Sequence, residues 1–326
     1  MSETTQAKRA SRTARYADPG RGGRGFLTQV RQNRILLLML APAVCFFILF
    51  SYIPMPGIIL AFKKFTYDGG IFGSPWAGFS NFRFFFISGN AFKITRNTIL
   101  YNLAFMAVNT VLQCATGILL AEMVGRKFKK FMQSAMFLPY FISWVVGGAF
   151  LYNILNYEFG ALNTLIRGFG GAPVDIYGNP GVWPVLLVIL RAWKDIGYGT
   201  ILYLAAIMGI DQEIYEAAEI DGASVYMKIR VITLPSLTPT IITLTLLSVS
   251  HIFHGDFGMF YNVVGKNGLL YDATDIIDTY VVRSLLQTQE FGMSSAIGAY
   301  QSVFNLFTIL AVNGLVRKFA PEYALF

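Results

Sequence analysis

Charged residues are scarce in this chain, and so is cysteine. Of 326 residues, 13% are charged and 55% are hydrophobic, which excludes an ordinary soluble domain. The two cysteines, Cys45 and Cys114, both fall in apolar segments, so we expect small hydrophobic side chains rather than a disulfide or a metal site. The composition is that of one large membrane domain.

A nucleotide-binding loop is also missing. The pattern G-x-x-x-x-G-K-[ST] does not occur, and Gly265-Lys266 has neither the upstream glycine nor the following hydroxyl residue. We therefore expect no ATPase activity and no bound cofactor in this chain. Any ATP-driven process must draw its energy from a partner protein.

Positive charge is concentrated at the N-terminus. The formal net charge is +8. The segment over residues 1–34 contains Lys8, Arg9, Arg12, Arg15, Arg21, Arg24, Arg31 and Arg34. We expect a basic cytoplasmic tail that is attracted to anionic lipid headgroups. Nucleic-acid binding is a weaker alternative, because the RGG-like run at residues 21–25 lies just ahead of a long apolar segment.

Six segments are long and apolar enough to be predicted as membrane-spanning helices, for which about 20 mainly apolar residues are needed. They cover roughly residues 35–53, 98–123, 132–155, 182–208, 239–257 and 295–316, and Pro139 interrupts the third. The prediction is an all-α integral membrane protein whose membrane domain covers residues 35–326.

Lys and Arg near the segment ends predict the orientation. The tail, the loop with Arg126, Lys127, Lys129 and Lys130, and the C-terminal pair Arg317 and Lys318 are basic. All three should lie in the cytoplasm, with both termini. The opposite loops, over residues 63–97, 156–181 and 258–294, combine aromatic with polar side chains. Stacking on a sugar is one interpretation, and an aromatic belt at the membrane interface is the other, which we favour for the first loop.

Residues 209–237 are the stretch richest in charge and helix signals between the apolar segments. Asp211 is a plausible N-cap, with Glu213 in the first turn, where a carboxylate suits the positive helix end. Ala217 and Ala218 belong to a narrow apolar stripe, and Gly222 should end this helix. The stripe either docks against another protein or packs on the chain's own membrane domain.

A second short helix should begin at Ser224, and Pro235 should limit it. Neither short helix is stable alone in water, so both need a surface to pack against.

Charge occurs inside the fourth apolar segment. Arg191 and Asp195 are four residues apart and can pair on one helix face, with Lys194 beside them. A charged side chain at the middle of the bilayer costs about 2.5–3.5 kcal/mol, so we expect these three side chains not to face lipid. One interpretation is a translocation path lined by Arg191, Trp193, Lys194 and Asp195. The other is a buried ion pair that fixes helix packing. Gly197 and Gly199 should loosen the helix or admit a neighbouring backbone.

The fifth segment ends with His251, His254 and Asp256. We expect these residues, with Asn305 on the sixth segment, to provide hydrogen bonds along the path. A metal site is disfavoured because no clear third ligand shares their face. Two other classes stay open: an ion-coupled secondary transporter with Asp195 as coupling carboxylate, and an intramembrane enzyme that uses the two histidines and Asp256.

The 209–237 stretch is similar to the EAA loop of ABC importer permeases. Glu216-Ala217-Ala218, three residues, Gly222, nine residues and Ile232-Thr233-Leu234-Pro235 follow that family's spacing. The sugar-type, polysaccharide and alginate branch is further resembled by FLPYFISWVV from Phe137, WKDIGYGTILYLAAI from Trp193 and DIIDTYVVR from Asp275. The resemblance implies the type I importer permease fold, with six spanning helices. It implies coupling to the ATPase through Glu213, Glu216, Ala217, Ala218, Gly222, Ala223, Leu234 and Pro235.

The resemblance also implies partner proteins and a cellular location. They are a second homologous permease, two ATP-binding subunits that hold ATP and Mg, and an extracytoplasmic solute-binding protein, assembled in the inner (plasma) membrane. The cargo should be an oligosaccharide. Arg191 and Lys194 suit an acidic one, such as an alginate fragment, and neutral saccharides are a close alternative.

Overall fold

The structure is a computed structural model that describes residues 33–87, 89–319 and 321–324. The basic tail at residues 1–32 therefore lies outside the described residues. Every regular element in those ranges is helical, with 79% helix. Lys63 and Trp76 form an isolated backbone bridge. The all-α prediction is confirmed.

The chain divides into two units, the first ending at Pro56 and the second beginning at Gly57. In the first unit, helix α1 covers Arg34–Phe47 and continues through a π turn at Ile48–Tyr52. Neither element has a buried residue, and Cys45 is exposed rather than packed. An apolar helix of this kind requires lipid or another chain around it.

The second unit is built from ten longer helices within the described residues. They are α2 Ser80–Ile87, α3 Asn90–Glu122, α4 Arg126–Phe137, α5 Trp144–Leu155, α6 Ala161–Gly168, α7 Trp183–Met208, α8 Gln212–Ile220, α9 Val225–Val249, α10 Ile277–Gln287 and α11 Phe291–Phe319. Short helical turns connect them, among them Leu138–Phe141 between α4 and α5 and Phe257–Met259 after α9.

Four helices of the described chain have the length and apolarity to cross a membrane: Arg34–Phe62, α3, α9 and Phe291–Lys318 of α11. α7 is long enough, at 26 residues, but carries Arg191, Lys194 and Asp195 near its middle. The third predicted segment is not one straight helix, since α4 with its following turn meets α5 at 93°. Ser143 begins α5 anew by accepting a hydrogen bond from the Val146 amide.

α9 departs most from the sequence prediction. We expected a short helix that stops at Pro235 and a separate span over residues 239–257. One continuous helix runs instead over Val225–Val249, with Ser224 as its N-cap. A π turn at Ile229–Thr233 widens the helix just before Pro235, so the ring and the missing N–H are accommodated without a break. The predicted stop at Pro235 was wrong.

α7 forms the centre of the second unit by packing closely on α3 and α4. A Cβ atom on Gly199 would lie 2.0 Å from Cδ of Gln113 in α3. A Cβ atom on Gly197 would lie 2.1 Å from the carbonyl oxygen of Met136 in α4. The expectation that these glycines admit a neighbouring backbone is confirmed at Gly197. Cys114 is buried in the α3–α7 contact, beside Tyr203, as predicted for a small apolar side chain.

Candidate functional site: a polar cavity and an unburied helix

A polar cavity of about 450 Å³ lies among α3, α7, the end of α9 and the turn that follows α9. Its polar lining consists of Asn102, Asn109, Thr110, Gln113, Arg191, Asp195, Tyr203, Ser248, His251, His254 and Asp256. Five residues predicted for the path are therefore brought together: Arg191, Asp195, His251, His254 and Asp256. The other three predicted residues, Trp193, Lys194 and Asn305, do not line it.

Arg191 is held between two carboxylates. Its Nε lies 2.5 Å from Oδ2 of Asp195, and its Nη1 pairs with Oδ2 of Asp256. The predicted pair of residues 191 and 195 is confirmed, and Asp256 joins it from a different part of the chain. Trp144 at the start of α5 donates its indole N–H to the same Asp256 oxygen at 2.8 Å. Arg191 is therefore shared between two carboxyl groups of the lining.

Lys194 points to the break between α4 and α5. Its ammonium group donates to the carbonyl oxygens of Tyr140 at 3.0 Å and of Ile142, and it lies 5.2 Å from the centre of the Trp144 ring. The 93° bend leaves these carbonyls without helical partners, so the cation compensates them. Trp193 is 44% exposed on the surface of α7. Lys194 thus stabilises a helix break instead of facing the cavity.

The turn over residues 250–256, which carries the two histidines and Asp256, is fixed by side chains from three other helices. Asn102 of α3 donates to the carbonyls of Ile252 at 2.8 Å and His254 at 3.0 Å. Asp278 of α10 accepts the Gly255 amide at 2.7 Å. On α11, Gln301 donates to the carbonyl of Phe253 and Asn305 to that of Ser250. Asn305 therefore acts on the backbone of the turn.

Sequence reasoning missed Trp144 and Gln301, and it treated Asp278 only as one of the polar side chains of the 258–294 loop that could hydrogen-bond a sugar. Trp144 and Asp278 lie in stretches quoted for the family resemblance, FLPYFISWVV and DIIDTYVVR, but their contacts with the turn over residues 250–256 were not predicted. In the second stretch Asp275 pairs with Arg283, whose guanidinium lies 4.1 Å from the centre of the Tyr271 ring. These side chains of the 258–294 loop satisfy one another, which leaves less of this loop available to stack on a sugar.

In the loop before α7, burial raises the pKa of Tyr177 to about 12, with a smaller contribution from Tyr152. Its hydroxyl therefore stays protonated at neutral pH and donates to the carbonyl of Val263 at 3.3 Å. This hydrogen bond ties the loop to the segment that follows the cavity turn.

α8 has no buried residue, although it carries an apolar stripe. Asp211 caps it, as predicted, by accepting the Glu213 amide at 3.0 Å, and Gly222 follows its end with a φ of +77°. Ile214 is 50% exposed, and Glu216 and Ala217 are exposed as well. The alternative that the stripe packs on the chain's own membrane domain does not agree with this exposure.

The rest of the predicted coupling set surrounds the junction of α8 and α9. Ala218 and Ala223 are partly buried, and Leu234 and Pro235 are exposed on α9 just after its π turn. The two halves of the motif are therefore parts of two helices that meet at Gly222.

The comparisons with known proteins all indicate the same family. Residues 113–321 match the model described as the binding-protein-dependent transport system inner membrane component. The polygalacturonan/rhamnogalacturonan transport system permease protein of Bacillus subtilis is 32% identical over 296 residues, which cover 91% of this chain and 92% of that protein. The galactooligosaccharides transport system permease protein of the same organism is 30% identical, over 88% of this chain and 69% of that protein.

The comparison with solved structures supports the same family. A chain of the bacterial alginate ABC transporter, in complex with alginate pentasaccharide-bound periplasmic protein, superposes with a TM-score of 0.80. It is 27% identical, and the match covers 90% of this chain and 98% of that one. The chain accordingly belongs to the family of binding-protein-dependent transport system inner membrane components, as the permease of a sugar ABC importer.

Proposed function

We propose that this chain and a second, similar permease form the membrane pathway of an importer that moves an oligosaccharide into the cytoplasm. ATP hydrolysis on two partner subunits, which hold ATP and Mg, drives the cycle, and an extracytoplasmic solute-binding protein delivers the cargo. The observation that carries the proposal is α8, a capped helix with no buried residue, whose exposed face combines Ala217 with Glu213 and Glu216. Such a face suits close docking of a partner with basic groups.

The proposed topology has six spans with both termini in the cytoplasm. The spans are α1 with its continuation, α3, the bent pair α4–α5, α7, α9 and α11. α7 can span despite its charges, because Arg191 and Asp195 face the cavity and Lys194 faces the helix break. The basic cluster at the start of α4 and the pair Arg317 and Lys318 then lie on the same side as α8.

The proposed cargo is an oligosaccharide that is recognised through its hydroxyl groups. The charge argument for an acidic cargo needed Arg191 and Lys194 to be available, but both are engaged with groups of the chain itself. Asn109 lines the cavity, and its Oδ1 atom is buried and finds no hydrogen-bond partner among the described residues. A buried acceptor left unpaired costs about 1–3 kcal/mol, so a turn of the Asn109 amide that presents Oδ1 to a cargo hydroxyl is favoured.

The cargo proposal predicts that Lys194→Gln leaves the ratio of uronate to neutral oligosaccharide uptake unchanged. Asn109→Asp should lower uronate uptake more than neutral uptake, because it adds a negative charge to a cavity that already has an excess of carboxylates. The measurement is uptake of paired labelled oligosaccharides by cells that express each variant. A selective loss of uronate uptake in Lys194→Gln would make that lysine a cargo ligand instead.

Reconstitution of the purified complex in liposomes tests the energy source. We expect uptake to require ATP together with the ATP-binding subunits and the solute-binding protein, since this chain lacks a nucleotide-binding loop. Uptake by the permeases alone, driven by a proton or sodium gradient, would support the secondary transporter in which Asp195 is the coupling carboxylate.

A further inference from the structure

Two side-chain links connect α8 to the first turns of α9. Nζ of Lys228 lies 2.6 Å from Oε1 of Glu219, and the hydroxyl oxygens of Tyr215 and Thr233 are 2.8 Å apart. The Lys228 side chain is only 11% exposed, and Thr233 is buried. We call these two links the α8–α9 joint.

The joint has two separate points of contact at different distances from the corner at Gly222: Glu219 with Lys228 close to it, and Tyr215 with Thr233 further along both helices. A single contact would leave the two helices free to rotate about it. Two contacts, one close to the corner and one further from it, fix the angle between the helices. The left-handed φ of +77° at Gly222 makes the corner sharp enough for both contacts to form.

A second cavity, of about 290 Å³, separates α8 from the cytoplasmic ends of α3 and α7. It is lined by Glu122, Lys129, Met208 and Tyr215, among others. Within the described residues, the hydrogen bonds and ion pairs that α8 side chains make to another helix go to α9. Apart from the peptide link to α7 through residues 209–211, a force applied to α8 therefore enters the membrane domain through α9.

α9 leads directly from the joint to the polar cavity. Its 25 residues extend over about 37 Å at the usual rise of an α-helix. Leu244 and Ser248, near its far end, line the cavity, and the turn with His251, His254 and Asp256 follows. α9 is thus one continuous helix in contact with both features.

We infer that the α8–α9 joint transmits movement of α8 to the cavity by making α8 and α9 move as one body, with Lys228 and Thr233 as positioning residues. The inference rests on the proposed function, because it assumes that an ATP-binding subunit moves α8. Loss of one contact should let α8 turn about Gly222 without carrying α9, so that ATP is hydrolysed without cargo movement.

The test uses the complete reconstituted complex and measures cargo uptake and ATP hydrolysis together. Lys228→Met keeps the length of the side chain but removes its charge. We expect uptake per ATP to fall about tenfold in this variant and in Tyr215→Phe, within the range of known coupling energies. The swap of Glu219→Lys with Lys228→Glu should restore the ratio. Lys93→Met, which removes the more exposed pair with Asp272, is the matched control and should leave the ratio unchanged.

The outcomes separate this inference from the proposed function. If Ala217→Leu lowers uptake while Lys228→Met and Tyr215→Phe keep the full ratio, the joint is overturned and docking at α8 stands. If Ala217→Leu also has no effect, docking itself fails. If both single changes uncouple but the swapped pair does not recover in an assembled complex, the ion pair is not the transmitting contact.

Discussion

Ala217→Leu in α8 is expected to lower ATP-driven uptake by at least about tenfold while the permease stays folded in the membrane. Ala217 is exposed on a helix without a buried residue, so the larger side chain meets no atoms of its own domain. The leucine side chain does prevent a partner subunit from approaching α8 closely. Residues at the centre of a close-packed interface contribute most of its binding energy, and that contribution is lost when the two surfaces are held apart. Glu216→Lys should act similarly by reversing the charge offered to basic groups on the partner.

Uptake, ATP hydrolysis and co-purification of the ATP-binding subunits measure this effect. We expect uptake to fall by at least about tenfold, which corresponds to roughly 1.4 kcal/mol of lost coupling. Ala161→Leu is the matched control, because Ala161 is an exposed helical alanine at the start of α6, on the opposite side in the proposed topology. Normal uptake in Ala217→Leu would show that α8 is not the docking element.

Gly197→Ala is expected to destabilise the membrane domain itself. The new Cβ would lie 2.1 Å from the carbonyl oxygen of Met136 and 2.7 Å from Cα of Phe137. Both are backbone atoms, so a change of side-chain rotamer cannot relieve the clash and α4 must move away from α7. Overpacking of a well-packed core costs about 1–3 kcal/mol, and we expect the upper end of that range or more.

The thermal unfolding midpoint in detergent measures this destabilisation. Gly298→Ala in α11 is the control, since a Cβ there meets nothing within 4 Å. That variant should be neutral, or more stable by about 0.5–1 kcal/mol, because alanine favours a helix over glycine. Equal midpoints for the two variants would contradict the close contact between α4 and α7.

Local features of the helices were predictable because they depend on near neighbours in the chain. The cap at Asp211, the helix start at Ser224 and the helix end at Gly222 follow from hydrogen bonds and φ preferences within a few residues. The pairing of Arg191 with Asp195 follows from helical spacing alone. Pro235 shows the limit of such reasoning, because a π turn in the same helix cancelled the effect of the ring.

The amino-acid order alone thus determined that the chain enters a membrane, that its regular elements are helices and which motif it carries, since these depend on apolar run length and short-range hydrogen bonds. Only the packing of the helices decided that Asp256 reaches Arg191, that Lys194 binds the carbonyls of a helix break, and that α8 has no buried residue. A charged side chain inside a membrane domain takes the nearest group that can compensate it. Which group is nearest depends on segments far away in sequence, and no local pattern encodes that distance.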